Sequence, residues 1–219
     1  MIKNEYHHGN LKEEFLKIAF DFILKDDVEN LTLKVLSDAT GTSRSAIYRH
    51  FVSKDALIEM MIFKGFEEFG NAISPLLKNQ QKLLVDRFYL SAKTYIEFAM
   101  QNPNLYRLLF GKKYAHIRDT IINIQDEECS GFSALKAAIE EGQRSGILKK
   151  EDSFQRTILI WSSLHGLSSL LIDGFMDINN IHTELYDKMF QDMLDTFTAK
   201  KIKLLSSIPF INDMIHPAK

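Results

Sequence analysis

The hydrophobic residues of this chain recur with the period of an α-helix over most of its length. Leu11, Phe15, Ile18 and Phe22 lie at i, i+4, i+7 and i+11, which is one face of an amphipathic helix. We find no convincing alternation of apolar and polar residues between hairpin turns, and no internal repeat. The pattern therefore predicts an all-α fold.

Capping residues predict two short helices joined by a tight turn. Thr32 can cap a second helix that Gly41 ends, and Ser43 can cap a third. Ser37 lies four residues before the glycine and Ile47 six after it, so the two helices can cross closely and bury Ile47 between them. This is the spacing of a helix-turn-helix.

The rest of the chain is also expected to be helical. A long fourth helix is predicted from Ser53 to near Pro75, with an apolar stripe that includes Phe66 and Phe69. Further helices are expected at about 82 to 101, 104 to 110, 117 to 145, 153 to 175 and 183 to 204.

Composition restricts the classes of function. With 45% apolar residues, 26% charged residues and a net charge of -2, the chain looks globular, so any contact with nucleic acid must come from a local patch. The single Cys129 allows no internal disulfide and suits a reducing cytoplasm. The uncharged stretch Thr157 to Ile172 is too short to span a membrane. We expect a cytoplasmic protein with no membrane contact, no cofactor and no metal site.

One positive patch coincides with the predicted helix-turn-helix. Residues 39–54 contain no carboxylate, and a helix of this size fits the major groove of DNA. Arg44, Ser45 and Ala46 are suited to base edges, whereas Tyr48, His50, Lys54 and the N-terminal Thr32 are suited to phosphates. The candidate DNA-binding residues are Thr32, Ser43, Arg44, Ser45, Ala46, Tyr48, Arg49, His50 and Lys54. The alternative is that residues 39–54 are only a solvent-exposed positive face. Absence of acidic residues alone does not indicate DNA binding, because Phe98 to Arg118 is equally free of acids but lacks the turn.

Several segments resemble the TetR family of bacterial transcriptional regulators. They are "YHHGNLKEEFLKIAF", "LTLKVLSDATGTSRSAIYRHFVSKDAL", "NPNLYRLLFG" and "WSSLHGL"; the last resembles the subgroup whose C-terminal domain is named for Trp-His-Gly. Thr40 and Thr42 depart mildly from the family pattern. The resemblance implies an all-α homodimer with an N-terminal three-helix DNA-binding domain and a helical bundle that binds a small-molecule effector and dimerises. We expect these domains at residues 1–53 and 54–205, with a tail at 206–219.

The last two long helices are the expected dimer contact. On the penultimate helix, serine and glycine residues lie about 100° from Trp161 and His165, so both faces should be covered. The candidate interface residues are Ser162, Gly166, Ser169, Tyr186, Met189, Phe190, Met193 and Phe197. Core packing within a monomer is the alternative.

Aromatic residues provide the candidate effector site. They are abundant, and we expect an apolar effector among Phe66, Tyr95, Phe98, Tyr106, Phe110, Phe132, Trp161 and His165. Aromatic residues at helical spacing also form ordinary cores, and His165 has a purely structural interpretation as a satisfied buried histidine.

Two other classes of function remain as alternatives. An all-α enzyme with an unrecognised site is one, although no recognised catalytic motif is present. The adjacent His7 and His8 are poor metal ligands and fit an N-terminal arm near DNA better. The main interpretation is a repressor that binds a palindromic operator as a homodimer and is released by a small apolar effector. A DNA-binding dimer that is controlled by a protein partner is the other alternative to it.

Overall fold

The computed structural model describes residues 11–121, 130–177 and 182–202. The all-α prediction is confirmed, since ten helices and no strand occur in these ranges. The helices are α1 (Leu11–Ile23), α2 (Leu33–Thr40), α3 (Arg44–Tyr48), α4 (Lys54–Lys78), α5 (Leu84–Gln101), α6 (Pro103–Phe110), α7 (Ala115–Ile121), α8 (Ser130–Arg144), α9 (Ser153–Ile172) and α10 (Thr183–Phe197). His7, His8, Cys129 and the expected tail lie outside the described residues.

Several helix ends differ from the sequence prediction. Helix α9 ends at Ile172 rather than near residue 175, and Asp173 takes the C-cap position. Helix α4 does not end near Pro75 but continues to Lys78. Proline removes the N–H that would bond the carbonyl of Asn71, but both residues are exposed, so water can satisfy that carbonyl. Helix α10 stops at Phe197 rather than near residue 204, because Thr198 is extended (φ -78°, ψ 147°). Thr198 pairs there with Leu148 in an isolated antiparallel bridge.

The chain forms two compact units, and the boundary between them lies within α4. The described part of the first unit comprises residues 11–66 and 102–121; that of the second comprises 67–101, 130–177 and 182–202. Helices α6 and α7 thus belong to the same unit as α1 to α3. The core of this unit contains Phe15, Ile23, Leu36, Ile47, Leu57, Ile62, Tyr106 and Leu109, all at most 1% exposed.

In the second unit, α9 packs against α5 and α8. Gly142 of α8 allows one close approach, because a Cβ there would lie 2.6 Å from Leu148 Cγ and 2.9 Å from Leu84 Cδ2. Buried Arg87 of α5 donates two hydrogen bonds of 2.8 Å to the carboxylate of Glu141. These contacts join α5, α8 and α9, which carry five of the eight predicted effector residues.

Membrane-spanning helices and metal-binding clusters are two features that the described residues lack. None of the helices in the described ranges combines the length and apolarity needed to cross a bilayer. Within the same ranges, acidic, histidine and cysteine side chains form no cluster of three or more that could hold a metal ion.

Candidate nucleic-acid interface and effector region

The turn between α2 and α3 has the geometry that the sequence predicts. Gly41 ends α2 in the left-handed conformation (φ 64°, ψ 22°), which a residue without a Cβ adopts without strain. The Thr42 N–H donates to Ser37 O at 3.0 Å. The hydroxyls of Thr40 and Thr42 lie 2.8 Å apart and hydrogen-bond across the glycine. The two threonines that depart from the family pattern therefore add a bond to the turn.

Serine capping fixes the start of α3. The Ser43 hydroxyl accepts from Ala46 N at 3.3 Å and lies 2.8 Å from the Ser45 hydroxyl. Ile47 is fully buried, as predicted from its spacing to the turn. Helix α3 is short and ends at Tyr48, after which Arg49 takes the C-cap position.

The predicted DNA-contacting side chains lie on the solvent side of this motif. Arg44, Ser45, Arg49 and His50 are exposed, and Tyr48 retains 56% of its accessible surface. Ala46 is half-buried, and its methyl group is the smallest side chain in this set. Since residues 39–54 include no carboxylate, the exposed face of α3 carries only positive and neutral groups.

Two further side chains in this region have defined partners. The His50 ring packs edge-on against buried Phe15, with centroids 5.8 Å apart, and this contact restricts the imidazole. Lys54 Nζ donates to the backbone oxygen of Glu29 at 3.2 Å. The sequence gives no local signal for Glu29, because it lies 25 residues from Lys54 in the chain.

Thr32 caps α2 as predicted. Its hydroxyl oxygen accepts from Val35 N at 3.1 Å, and its backbone is extended (φ -118°, ψ 158°). Because the capping bond uses an oxygen lone pair, the hydroxyl proton is left to donate to an acceptor such as a phosphate. Thr32 is exposed, so such an acceptor can reach it.

The predicted effector residues divide between the two units. Phe66, Tyr106 and Phe110 belong to the first, where Phe110 contacts Phe66 edge-on at 5.4 Å and Tyr106 at 4.7 Å between centroids. Tyr95, Phe98, Phe132, Trp161 and His165 belong to the second. Each of these ring contacts therefore joins residues of one unit.

The aromatic group of the second unit contains a set of polar contacts. Trp161 Nε1 donates to Tyr95 Oη at 3.2 Å, and the same hydroxyl lies 3.5 Å from His165 Nδ1. Phe69, which the site prediction omitted, packs edge-on against Tyr95 at 5.0 Å and against Phe98 at 5.2 Å. Phe132 packs edge-on against Trp161 at 5.9 Å.

One buried hydroxyl lies on the same face of α9 as Trp161 and His165. Ser168 is fully buried, and its Oγ makes no hydrogen bond within the described part of the chain. A buried polar atom without a partner is costly, so this hydroxyl is a feature that a bound polar group would satisfy. The predicted effector site did not include Ser168.

A cleft on the second unit has a different character. Its volume is about 420 Å³, and it is lined by Glu140, Gln143, Arg144, Lys150 and Glu151. None of the predicted effector residues lines it, and its polar walls do not suit an apolar ligand.

The predicted dimer residues on α9 lie along an open stripe. Ser162 is exposed, Gly166 is half-buried, and a Cβ built on Gly166 would meet no atom within 4 Å. Leu159 and Leu170, at 45% and 43% exposure, extend the stripe at helical spacing. Ser169 lies beside it and is half-buried.

On α10 the structure revises part of the dimer prediction. Tyr186 and Phe190 are each 3% exposed and pack edge-on or stacked with Tyr89 and each other, so almost no surface is left for a partner. Burial is the largest cause that raises the pKa of Tyr186 well above its usual value. Met189 is 40% exposed, and Met193 and Phe197 are half-buried. Leu185, at 39% exposure, joins the exposed set.

Comparison with known proteins agrees with this architecture. A family model described as bacterial regulatory proteins of the tetR family matches residues 16–61, and one described as a tetracyclin repressor-like C-terminal domain matches residues 89–197. The chain is 24% identical over 156 residues to the nucleoid occlusion factor SlmA of Pectobacterium carotovorum, covering 71% of this chain and 77% of that protein. It is 29% identical over 150 residues to SlmA of Vibrio cholerae, covering 66% and 72%.

Solved structures share the fold. A protein of unknown function from Rhodococcus sp. RHA1 superposes with a TM-score of 0.69 at 21% identity, covering 89% of this chain and 96% of that one. The narrower Trp-His-Gly subgroup stays a prediction. The family models cover both the helix-turn-helix and the C-terminal helices, and the chain is a member of the TetR family of bacterial transcriptional regulators.

Proposed function

We propose that this regulator is a repressor that binds a palindromic operator as a homodimer and is released by a small, largely apolar effector. The observation that carries the proposal is the exposed, acid-free α3, held at a fixed angle by the capped turn at Gly41. A rigid positive helix of this size fits the major groove.

The side chains divide by the chemistry of what they can contact. Arg44 offers paired donors to a guanine, and Ser45 and Ala46 lie on the same helix turn for smaller base contacts. Tyr48, His50 and Arg49 follow at the end of the helix, where they suit phosphate oxygens. Thr32 and Ser43 cap α2 and α3, and Lys54, the first residue of α4, is suited to a phosphate.

Dimerisation through α9 and α10 would present two copies of α3 to DNA. The stripe of Leu159, Ser162, Gly166 and Leu170 gives α9 a small and apolar surface, which suits close packing of a symmetry mate. Two recognition helices about 34 to 36 Å apart occupy successive major grooves on one side of the duplex.

The effector is proposed to bind among the aromatic residues of the second unit. Tyr95, Trp161 and His165 supply donors and acceptors within apolar walls, and Ser168 adds an unsatisfied hydroxyl. Phe69, which packs on Tyr95, belongs to the same helix α4 that begins at Lys54. A ligand that shifts Phe69 therefore acts on a DNA-contacting helix, and ligand and DNA must weaken each other by the same factor.

The test is a selection of genomic fragments by the purified protein at about physiological salt, because low salt inflates phosphate contacts. A Tyr48→Ala, Lys54→Ala double variant is run in parallel. We expect enrichment of a palindromic site that the double variant loses. Failure to enrich any site, by folded and dimeric protein that has been unfolded, dialysed and refolded to remove bound ligand, would refute operator binding.

Control by a protein partner is the second candidate. It is supported by the similarity to SlmA proteins, which are named nucleoid occlusion factors. Thermal melts with a panel of apolar and aromatic small molecules distinguish the two candidates. A ligand that binds the folded state raises Tm, and a ligand that also releases DNA supports the first candidate.

A further inference from the structure

A second cationic segment lies in the same compact unit as the helix-turn-helix. Residues 102–121 form α6, α7 and their connection, and they pack with residues 11–66. Lys112 and Lys113, in the connection, are exposed. This segment includes most of Phe98 to Arg118, the second stretch of the sequence without acidic residues. That stretch is not part of the helix-turn-helix.

Glu29 connects this segment to the proposed DNA contacts. Lys113 Nζ pairs with the Glu29 carboxylate, and both side chains are 55% exposed. The backbone oxygen of the same Glu29 accepts from Lys54 Nζ at 3.2 Å. Lys113 and Lys54 therefore both contact Glu29, which lies three positions before Thr32 in the chain.

The connection is held in place by contacts of its own. Arg118 Nη1 donates to the backbone oxygens of Leu109 and Gly111, both at 3.3 Å, which closes the segment between α6 and α7. Burial, and then the charges of Asp27 and Asp55, raise the pKa of Tyr114. Lys113 Nζ lies 5.8 Å from the centroid of the Tyr114 ring, the next residue in the chain.

We propose that Lys113 makes a second, sequence-independent contact to a DNA phosphate beside that of Lys54, and that Glu29 restrains it in the free protein. Exposed pairs of lysine and glutamate are weak, so a phosphate can replace the carboxylate. Each DNA strand presents one charge per about 3.4 Å of axis, so a phosphate next to the one at Lys54 is available to a neighbouring cation. The inference rests on the proposed DNA binding.

The experiment measures affinity for a duplex of random sequence, about 30 base pairs long, so that two half-sites fit. Binding is followed over a series of salt concentrations for the wild type, Lys113→Gln and Glu29→Gln. Lys136→Gln is the matched control, because Lys136 also forms an exposed pair with a glutamate, Glu140, but belongs to the second unit. Melting curves show whether every variant is folded.

We expect Lys113→Gln to reduce the slope of log affinity against log salt by about 0.9 per protomer, or about 1.8 for a dimer. Lys136→Gln should keep the wild-type slope. Glu29→Gln should bind more tightly than the wild type, because it frees Lys113 and removes a charge that repels phosphate. If the ion pair between Lys113 and Glu29 only stabilised the structure, Lys113→Gln and Glu29→Gln would both weaken DNA binding.

A wild-type slope for Lys113→Gln, or weaker binding by Glu29→Gln, overturns the inference while leaving DNA binding intact. If the wild type itself binds no duplex at low salt, the proposed function fails as well.

Discussion

Replacement of Gly166 by leucine tests the proposed dimer contact on α9. In the protomer, a Cβ at Gly166 would meet no atom within 4 Å, so the larger side chain has room. Glycine within a helix is less favourable than alanine by about 0.8–1.0 kcal/mol, and leucine is close to alanine. We therefore expect the protomer to be as stable as the wild type or slightly more stable.

The dimer should respond in the opposite direction. Extra carbons in a packed contact cost about 1–3 kcal/mol, and a two-fold interface presents the change on both copies, so the total is about 2–6 kcal/mol. At about 1.4 kcal/mol per tenfold, the dissociation constant should rise about 30-fold to about 10⁴-fold. Operator affinity should fall with it, because one recognition helix cannot occupy two half-sites.

Sedimentation velocity over a concentration series measures the dissociation constant, and urea unfolding of the dilute protein measures the stability of the protomer. Gly142→Leu is the contrasting variant. Its Cβ would lie 2.6 Å from Leu148 Cγ, so this change should unfold or strongly destabilise the protomer itself. A Gly166→Leu protein with the wild-type dissociation constant would show that this stripe of α9 is not the interface.

Three further predictions concern single residues. Arg44→Ala should cost about 1–3 kcal/mol of operator affinity and relax preference at one base pair; equal losses on operator and random DNA would contradict base reading. Gly41→Ala should destabilise the protein by about 1–2 kcal/mol in urea unfolding, because alanine is strained at φ 64°. Hydrogen bonding to Arg87 lowers the pKa of Glu141, so its contribution to stability is full near neutral pH and is lost on acidification. Glu141→Gln should therefore lose less stability than the wild type as the pH falls from about 5 to about 3, as urea unfolding at each pH can measure.

Local signals predicted the DNA-binding motif in detail. The capping hydrogen bonds at Thr32, Gly41 and Ser43 join residues three or four positions apart in the chain. A short stretch of sequence therefore contains both partners of each bond. Ile47 follows from the same window, because the turn fixes which residue points at α2. The register of the motif was therefore readable without any tertiary information.

Contacts between distant segments could not be predicted in this way. Eight residues were predicted to form one effector site, but the sequence could not show that Phe110 contacts Phe66 and Tyr106 or that Trp161 donates to Tyr95. Helical periodicity gives the face on which a residue lies, but it does not identify the helix that covers that face. For the same reason, the sequence could not predict the contacts of Glu29, because Lys54 and Lys113 lie far from it in the chain.

Helix α10 shows why an apolar stripe does not by itself identify an interface. Tyr186 and Met189 are three residues apart and so lie on adjacent parts of one wide apolar face. The Tyr186 hydroxyl donates to Tyr89 O at 3.1 Å, and this bond can form only if the ring points into its own subunit. Met189 has no such polar anchor and remains 40% exposed. Most buried hydroxyls are hydrogen-bonded, so the partner of Tyr186, rather than hydrophobicity, decides which side of the stripe belongs to the core.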